Sequence, residues 1–160
     1  MIQTMLMGRE AVSELVPHKG KMLLLHRISA YDIEKRSLAS EYDITPDCIF
    51  FDSALNGVPS WVGFEFMAQS ISALSGICGK MNDEAPRPGV ILSVSNLKID
   101  IPVLESGTTA VIQVLEDCKV DAIYTFHCIL SQNGKQAVSA KLMVMETGDI
   151  SQLGSLQHAS

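Results

Sequence analysis

Residues 60–80, SWVGFEFMAQSISALSGICGK, decide the fold. Trp61, Val62, Phe64, Phe66, Met67, Ile71, Leu74 and Ile77 do not keep to one stripe of a helix but project over nearly its whole circumference. A helix that is apolar all round has to be buried all round. Gly63, Ala68, Ser70, Ser72 and Gly76 would let other backbones approach it closely.

Upstream, Met5, Leu6, Ala11, Val12 and Leu15 recur at roughly helical spacing until Pro17, which predicts a short amphipathic helix. Residues 21–31 open with a solid apolar block and 36–44 alternate imperfectly, so both read as strands, followed by a loop over 45–59. Downstream, the polar, proline-rich break MNDEAPRPG (81–89) gives way to strand patterns at 90–101, 108–119, 122–131 and 135–146. The last two are joined through Gln132-Asn133-Gly134, and Asn-Gly between alternating runs is a strong hairpin signal. The four are expected to form a consecutive antiparallel meander. An antiparallel sheet must bury one face and this helix must be enclosed, so the expectation is an α+β hotdog fold: a curved antiparallel sheet wrapped around a buried central helix. A flat two-layer sandwich would leave part of that helix wet. Residues 1–147 read as one domain with a short N-terminal helix, and the polar, aperiodic 148–160 as a flexible tail.

A length of 160 residues suits one core. The net charge of −6, without a run of Lys or Arg, argues against a nucleic-acid partner. No apolar run approaches the ~20 residues of a membrane span, and the first residues carry no secretory leader pattern. Cys48, Cys78, Cys118 and Cys128 have neither metal-ligand nor disulfide-framework spacing and read as free thiols in a reducing compartment, which points to the cytoplasm.

Glu65 stands among apolar neighbours with Gln69 as its large polar companion on the same helical face. Burial there would raise its proton affinity, as a general acid needs; the structural alternative is a carboxylate that reaches a groove or is satisfied by Gln69 and backbone amides. His18, in the loop Val-Pro-His-Lys-Gly, reads either as a base or as a loop histidine bonding a carbonyl. His26 and His127 fall within strands and His158 in the tail, and none of the three suggests catalysis. Asp52 is either a second carboxylate near the helix start or a turn-former. Trp61 reads as a core or interface residue, and the methionines, including Met22 and Met67, fill the interior or line a tunnel.

Two segments, VPHKGKMLLLHRI and VPSWVGFEFMAQSISALSG, resemble the 3-hydroxyacyl-acyl-carrier-protein dehydratases of fatty-acid synthesis. Phe50-Phe51-Asp52, Pro59-Ser60-Trp61 and Glu65-Phe66-Met67-Ala68-Gln69 are most similar to the divergent dehydratase branch of bacterial aryl-polyene gene clusters. The likeness runs from about Glu14 to Met145, in the later strands by pattern only. One departure matters: the standard enzymes carry a catalytic histidine in a His-Phe-Pro-Gly loop before the helix, and residues 50–60 here hold no histidine.

The resemblance implies elimination of water from a 3-hydroxyacyl thioester, with Glu65 at the place of the family's helix carboxylate as acid and Asp52 and Gln69 as candidate supporting groups. The family's base does not carry over: Pro17-His18 matches the Pro-His element, whose histidine is not the main catalytic one in the standard enzymes, so either His18 has taken the role of base, the assignment adopted here, or the chain has kept acyl binding without the chemistry. Backbone N–H groups at Trp61, Val62 and Gly63, at the positive end of the helix dipole, are expected oxyanion donors. No metal or organic cofactor is expected, since the phosphopantetheine arm belongs to the substrate carrier. Expected partners are an acyl carrier protein, docking near Lys19, Lys21, Lys80 and Arg87, and a second copy or a related hotdog subunit in a homodimer or higher assembly. A hotdog thioesterase and a non-catalytic carrier-binding subunit are the alternatives.

Overall fold

The computed structural model describes residues 7–83 and 89–146. Helix α1 (Arg9–Leu15) leads through a single 3-10 turn at Gly20–Met22 into β1 (Arg27–Asp32) and β2 (Ser37–Asp43). A short strand β3 (Gly57–Pro59) and a second 3-10 turn (Ser60–Val62) deliver the chain into α2 (Gly63–Met81). Then follow β4 (Gly89–Ile99), β5 (Val103–Glu105), β6 (Thr109–Val120), β7 (Ile123–Gln132) and β8 (Lys135–Glu146). The six long strands form one antiparallel sheet in the order β1-β2-β6-β7-β8-β4, curved around α2, while β3 and β5 pair separately. This is the hotdog arrangement.

Alternation sets the core. Leu38, Ser40 and Tyr42 of β2, Ala110, Ile112 and Val114 of β6, and Phe126, Cys128 and Leu130 of β7 point inward onto Phe66, Met67, Ser70, Ala73 and Leu74 of α2. The expected Asn-Gly hairpin is present: Asn133 and Gly134 take φ of 53° and 73°, the two positive values that a type I′ turn requires. Burial lifts the Cys128 thiol to about 12, so it behaves as a core residue.

Three expectations need correction. The four last strands are not one consecutive meander: β6, β7 and β8 are, but β4 lies beyond β8 at the far edge, because 100–108 cross over through β5 before β6 begins. The block 21–31 is a strand only from Arg27; Leu23, Leu24 and Leu25 are all buried, which an alternating strand with one wet face cannot do. Helix α1 begins at Arg9, after Met7 pairs with Ile28, and Met5 and Leu6 lie outside the described residues, as does the expected tail 148–160.

α1 packs against α2 at Gly76, where an added Cβ would sit 2.1 Å from the carbonyl oxygen of Leu15. Alanine in place of glycine gains about 1 kcal/mol of helix propensity, but that backbone oxygen cannot swing aside, so overpacking outweighs the gain. Gly76→Ala is expected to destabilise by about 2 kcal/mol, read as a lower denaturant midpoint with unchanged slope; a stabilised variant would refute this contact.

Candidate active site

The central helix is not enclosed all round as its composition predicts. Glu65, Ala68, Ser72 and Ser75, spaced three, four and three residues apart, form a stripe that faces a cavity of about 410 Å³. The opposite wall is the open end of the sheet, Gly89, Val90 and Ile91 of β4 with Val144 and Glu146 of β8, and Pro17 and His18 close the side. The small side chains along the stripe leave the space; the sequence reading had assigned Ala68 and Ser72 to backbone contact instead.

Glu65, in the first turn of α2, is half-buried and lines this cavity, so it does not have the fully desolvated setting expected from its neighbours. Gln69 is not its partner. The Gln69 amide donates to Met22 O and accepts from Leu24 N, both at 2.7 Å, and so ties the 22–24 segment to the helix. The Arg9 guanidinium donates to the carbonyls of Gly20 at 2.9 Å, Leu23 at 3.0 Å and Leu25 at 3.3 Å. Between these anchors and the Leu15–Gly76 contact stands His18.

His18 shares the cavity with Glu65. Burial holds its proton affinity below the ordinary histidine value, and the nearby Glu65 charge pulls in the other direction without overcoming it. Its Nδ1 is buried and has no hydrogen-bond partner among the described residues, so that nitrogen is not bonded to a loop carbonyl. A neutral imidazole and a carboxyl on the walls of one largely apolar cavity can move a proton each way across a bound substrate.

The other candidates lie elsewhere. Asp52 is exposed; its Oδ1 accepts from Ala54 N at 2.9 Å and its backbone pairs with Gly57, which makes it a turn-former. Trp61 is 58% exposed, Val62 is buried, and Gly63 packs against Leu130 and Val138. None of these three lines the cavity of the single chain, and the Gly63 N–H already donates to Ser60 O. Of the expected basic residues, Lys80 is paired with Glu14 at 2.9 Å, Lys19 is bonded to Ser13 O, Lys21 is exposed, and Arg87 lies outside the described residues. His26 stacks on Tyr42 and its Nδ1 accepts from Asp43 N at 2.9 Å, a structural role. Among the described residues no three of the His, Cys, Asp and Glu side chains gather as metal ligands would, and no helix is long and apolar enough to cross a membrane.

Sequence reasoning missed the far end of the cavity, Ser75 and Glu146, whose side chains are hydrogen-bonded. The three-four-three spacing from Glu65 would have located Ser75. Glu146 is brought there only by the sheet.

Strand β4 carries the other unexpected feature. Val94 and Ile99 pair with the buried Leu142 and Val138, so they lie on the core face of the sheet, yet Leu92, Val94, Leu97 and Ile99 are 37 to 45% exposed. Among the described residues, the sheet's apolar face thus runs out past the helix to an edge strand that pairs on one side only.

Comparison with known proteins agrees with this geometry. The ApeP-like family, described as ApeP dehydratase, matches residues 10–155. The 3-hydroxyacyl-[acyl-carrier-protein] dehydratase FabZ of Chlamydia trachomatis serovar L2 is 29% identical over 100 residues, 61% of this chain and 65% of that one. The FabZ of Chlamydia caviae is 31% identical over 87 residues, 52% and 56% of the two chains. The alignments therefore span less than two thirds of these relatives. Among solved structures, the dehydratase heterocomplex ApeI:P from Xenorhabdus doucetiae superposes with a TM-score of 0.81 at 22% identity, covering 91% of this chain and 95% of that one. A thioesterase-like protein from Ralstonia eutropha superposes with a TM-score of 0.57 at 22% identity, over 74% and 82% of the chains.

Proposed function

Because the chain belongs to the ApeP-like dehydratase family, we propose that it eliminates water from a 3-hydroxyacyl chain held as a thioester on an acyl carrier protein. The product is the trans-2-enoyl thioester. The observation that carries this reading is the placement of His18 and Glu65 on the walls of one cavity. His18, neutral because burial depresses its proton affinity, takes a proton from C2. The C2–H electrons form the C2–C3 double bond, the C3–O bond breaks, and Glu65 gives the departing hydroxide a proton, so that water leaves. Return of the proton from His18 to Glu65 resets the pair. The chemistry asks for no metal or organic cofactor.

The carrier docks beside the exposed Lys19 and Lys21, which follow the cavity-lining His18 in sequence. The chain works as one of a pair: the apolar face of β4, and its edge that pairs with no strand among the described residues, suit a second hotdog subunit, a copy of this chain or a relative. A related subunit is favoured by the loop at 50–60, which lacks the histidine expected of the standard enzymes. The free thiols suit a reducing cytoplasm.

The test is incubation of the purified protein, alone and with a related hotdog subunit of the same source, with 3-hydroxyacyl carrier thioesters. Mass spectrometry of the carrier should find loss of water with the thioester intact. Release of free carrier thiol would mean thioesterase chemistry, and an unchanged carrier in both mixtures would mean a binding subunit without catalysis.

A further inference from the structure

Beyond His18 the backbone passes from the 3-10 turn at Gly20–Met22 to β1 without a strand, and Leu23, Leu24 and Leu25 are buried on the way. Buried backbone groups without a ladder need other partners. Arg9 supplies several: its Nη2 donates to Gly20 O at 2.9 Å and to Leu23 O at 3.0 Å, and its Nη1 to Leu25 O at 3.3 Å. A purely structural role would end there.

Two observations carry it further. Arg9 is the first residue of α1, whose N-cap Gly8 makes no side-chain cap, so its charge stands at the positive end of the helix dipole, where an acidic residue would be favoured. Its placement serves the 20–25 backbone and not its own helix. Arg9 is also fixed at its base and aimed at the histidine. Two residues before it, Met7 and Ile28 exchange backbone hydrogen bonds, both at 2.9 Å, so the arginine starts from strand β1. From there Nη2 reaches the carbonyl of Gly20, two residues past His18, while the Lys19 ammonium donates to Ser13 O of α1. On the other side Gln69, one turn beyond Glu65 on α2, holds Met22 O and Leu24 N. One stretch of backbone thus links the histidine to the sheet through Arg9 and to the helix of Glu65 through Gln69.

We infer that Arg9 is a positioning residue for the elimination: by holding the 20–25 backbone it sets the placement of the His18 imidazole against Glu65 across the cavity. The inference rests on the reading of His18 and Glu65 as the reacting pair. Burial and the Glu65 charge govern the proton affinity of His18. The other charged groups around it are Glu146 of β8 in the same cavity, Lys19 next in the chain, and Glu14 of α1, which is paired with Lys80. Arg9 therefore acts on His18 through the backbone, and shape matters more than charge at this position. A lysine would keep the charge, but one ammonium cannot hold carbonyls spread from Gly20 to Leu25 as the guanidinium fork does.

The experiment compares Arg9→Lys and Arg9→Ala with the parent chain, by turnover and by a titration without substrate. With a carrier-bound 3-hydroxyacyl thioester, kcat should fall about tenfold or more in both variants, the loss that a misplaced base produces. Methylguanidinium should restore part of the activity of Arg9→Ala and none of that of Arg9→Lys. Without substrate, the His18 imidazole is titrated by nuclear magnetic resonance on histidine-labelled protein, its signals assigned by their absence from His18→Ala. In the parent, Glu65→Gln should lower the proton affinity of His18, because the Glu65 charge raises it. In the Arg9 variants the same substitution should lower it less, as for a pair moved apart. Variants that melt earlier but keep, below their melting temperature, the parent kcat and the full His18–Glu65 coupling would overturn the inference, and so would a loss of kcat with the coupling intact. Should Arg9→Ala fail to fold by circular dichroism, Arg9→Lys gives both readings. Absence of turnover in the parent with every carrier substrate would sink the dehydratase reading instead, and the coupling then decides: weakened in the Arg9 variants it supports placement by Arg9, unweakened it refutes it.

Discussion

Glu65→Gln is expected to lower turnover of a carrier-bound 3-hydroxyacyl thioester by about a hundredfold or more. The amide keeps the shape of the carboxyl and can still hydrogen-bond, but it delivers no proton to the departing hydroxyl. Glu65 is half-buried on a cavity wall and makes no side-chain hydrogen bond to the described residues, so the substitution removes no structural contact and the variant should fold as the parent does. The loss belongs in kcat with KM nearly unchanged, because the proton is needed only as the C–O bond breaks. Retention of full activity would remove Glu65 from the chemistry.

His18→Ala carries the second large effect, again about a hundredfold, and the double variant with Glu65→Gln should be little worse than either alone, since paired groups act as a unit. The pH profile separates a base from a mere neighbour. Burial holds the His18 imidazole below the ordinary histidine value, so the neutral form survives into more acid solution. The acid limb of kcat/KM should therefore fall below about pH 6.5, and it should vanish from the residual activity of His18→Ala. A limb at or above 6.5, or one that persists in the variant, would assign it to another group. Folding has to be followed beside it. His26 is depressed as well, chiefly by burial, so below the ordinary value the unfolded chain binds more protons than the folded one and stability falls as the pH drops. Circular dichroism over the same range distinguishes loss of the base from loss of the fold.

Much of this was legible in the residues because the signals were local. Period-two alternation and the Asn133-Gly134 turn located the β7–β8 hairpin, and a helix with apolar residues on every side required enclosure. Glu65 and His18 drew attention as an ionisable group among apolar neighbours and as a histidine at a chain turn, and both line the cavity. What failed was long-range. Adjacency in sequence put β4 next to β6, whereas it pairs with β8 through partners such as Gly89 and Glu146, and no local pattern records a crossover. The same reason hid Glu146, which belongs to the cavity only through that pairing. Gln69 was misread because spacing along one helix paired it with Glu65, while its hydrogen bonds go to a segment more than forty residues away in sequence.

The mooring of the His18 loop has a thermodynamic consequence. Arg9 and Gln69 between them hold five backbone groups of 20–25, and Leu15 rests on Gly76. The segment that carries the imidazole is thereby ordered when the chain folds, at a cost in backbone entropy of about 1 to 2 kcal/mol per residue that need not be met again at each encounter with substrate. Loop and helix form one stiff unit, and the spacing of its two ionisable groups is a property of the native state. Compliance is left to the facing wall, Gly89 to Ile91, which belongs to an edge strand that pairs with β8 alone among the described residues. The cavity thus has one rigid jaw and one yielding jaw, and a long acyl chain is accommodated at the expense of the second.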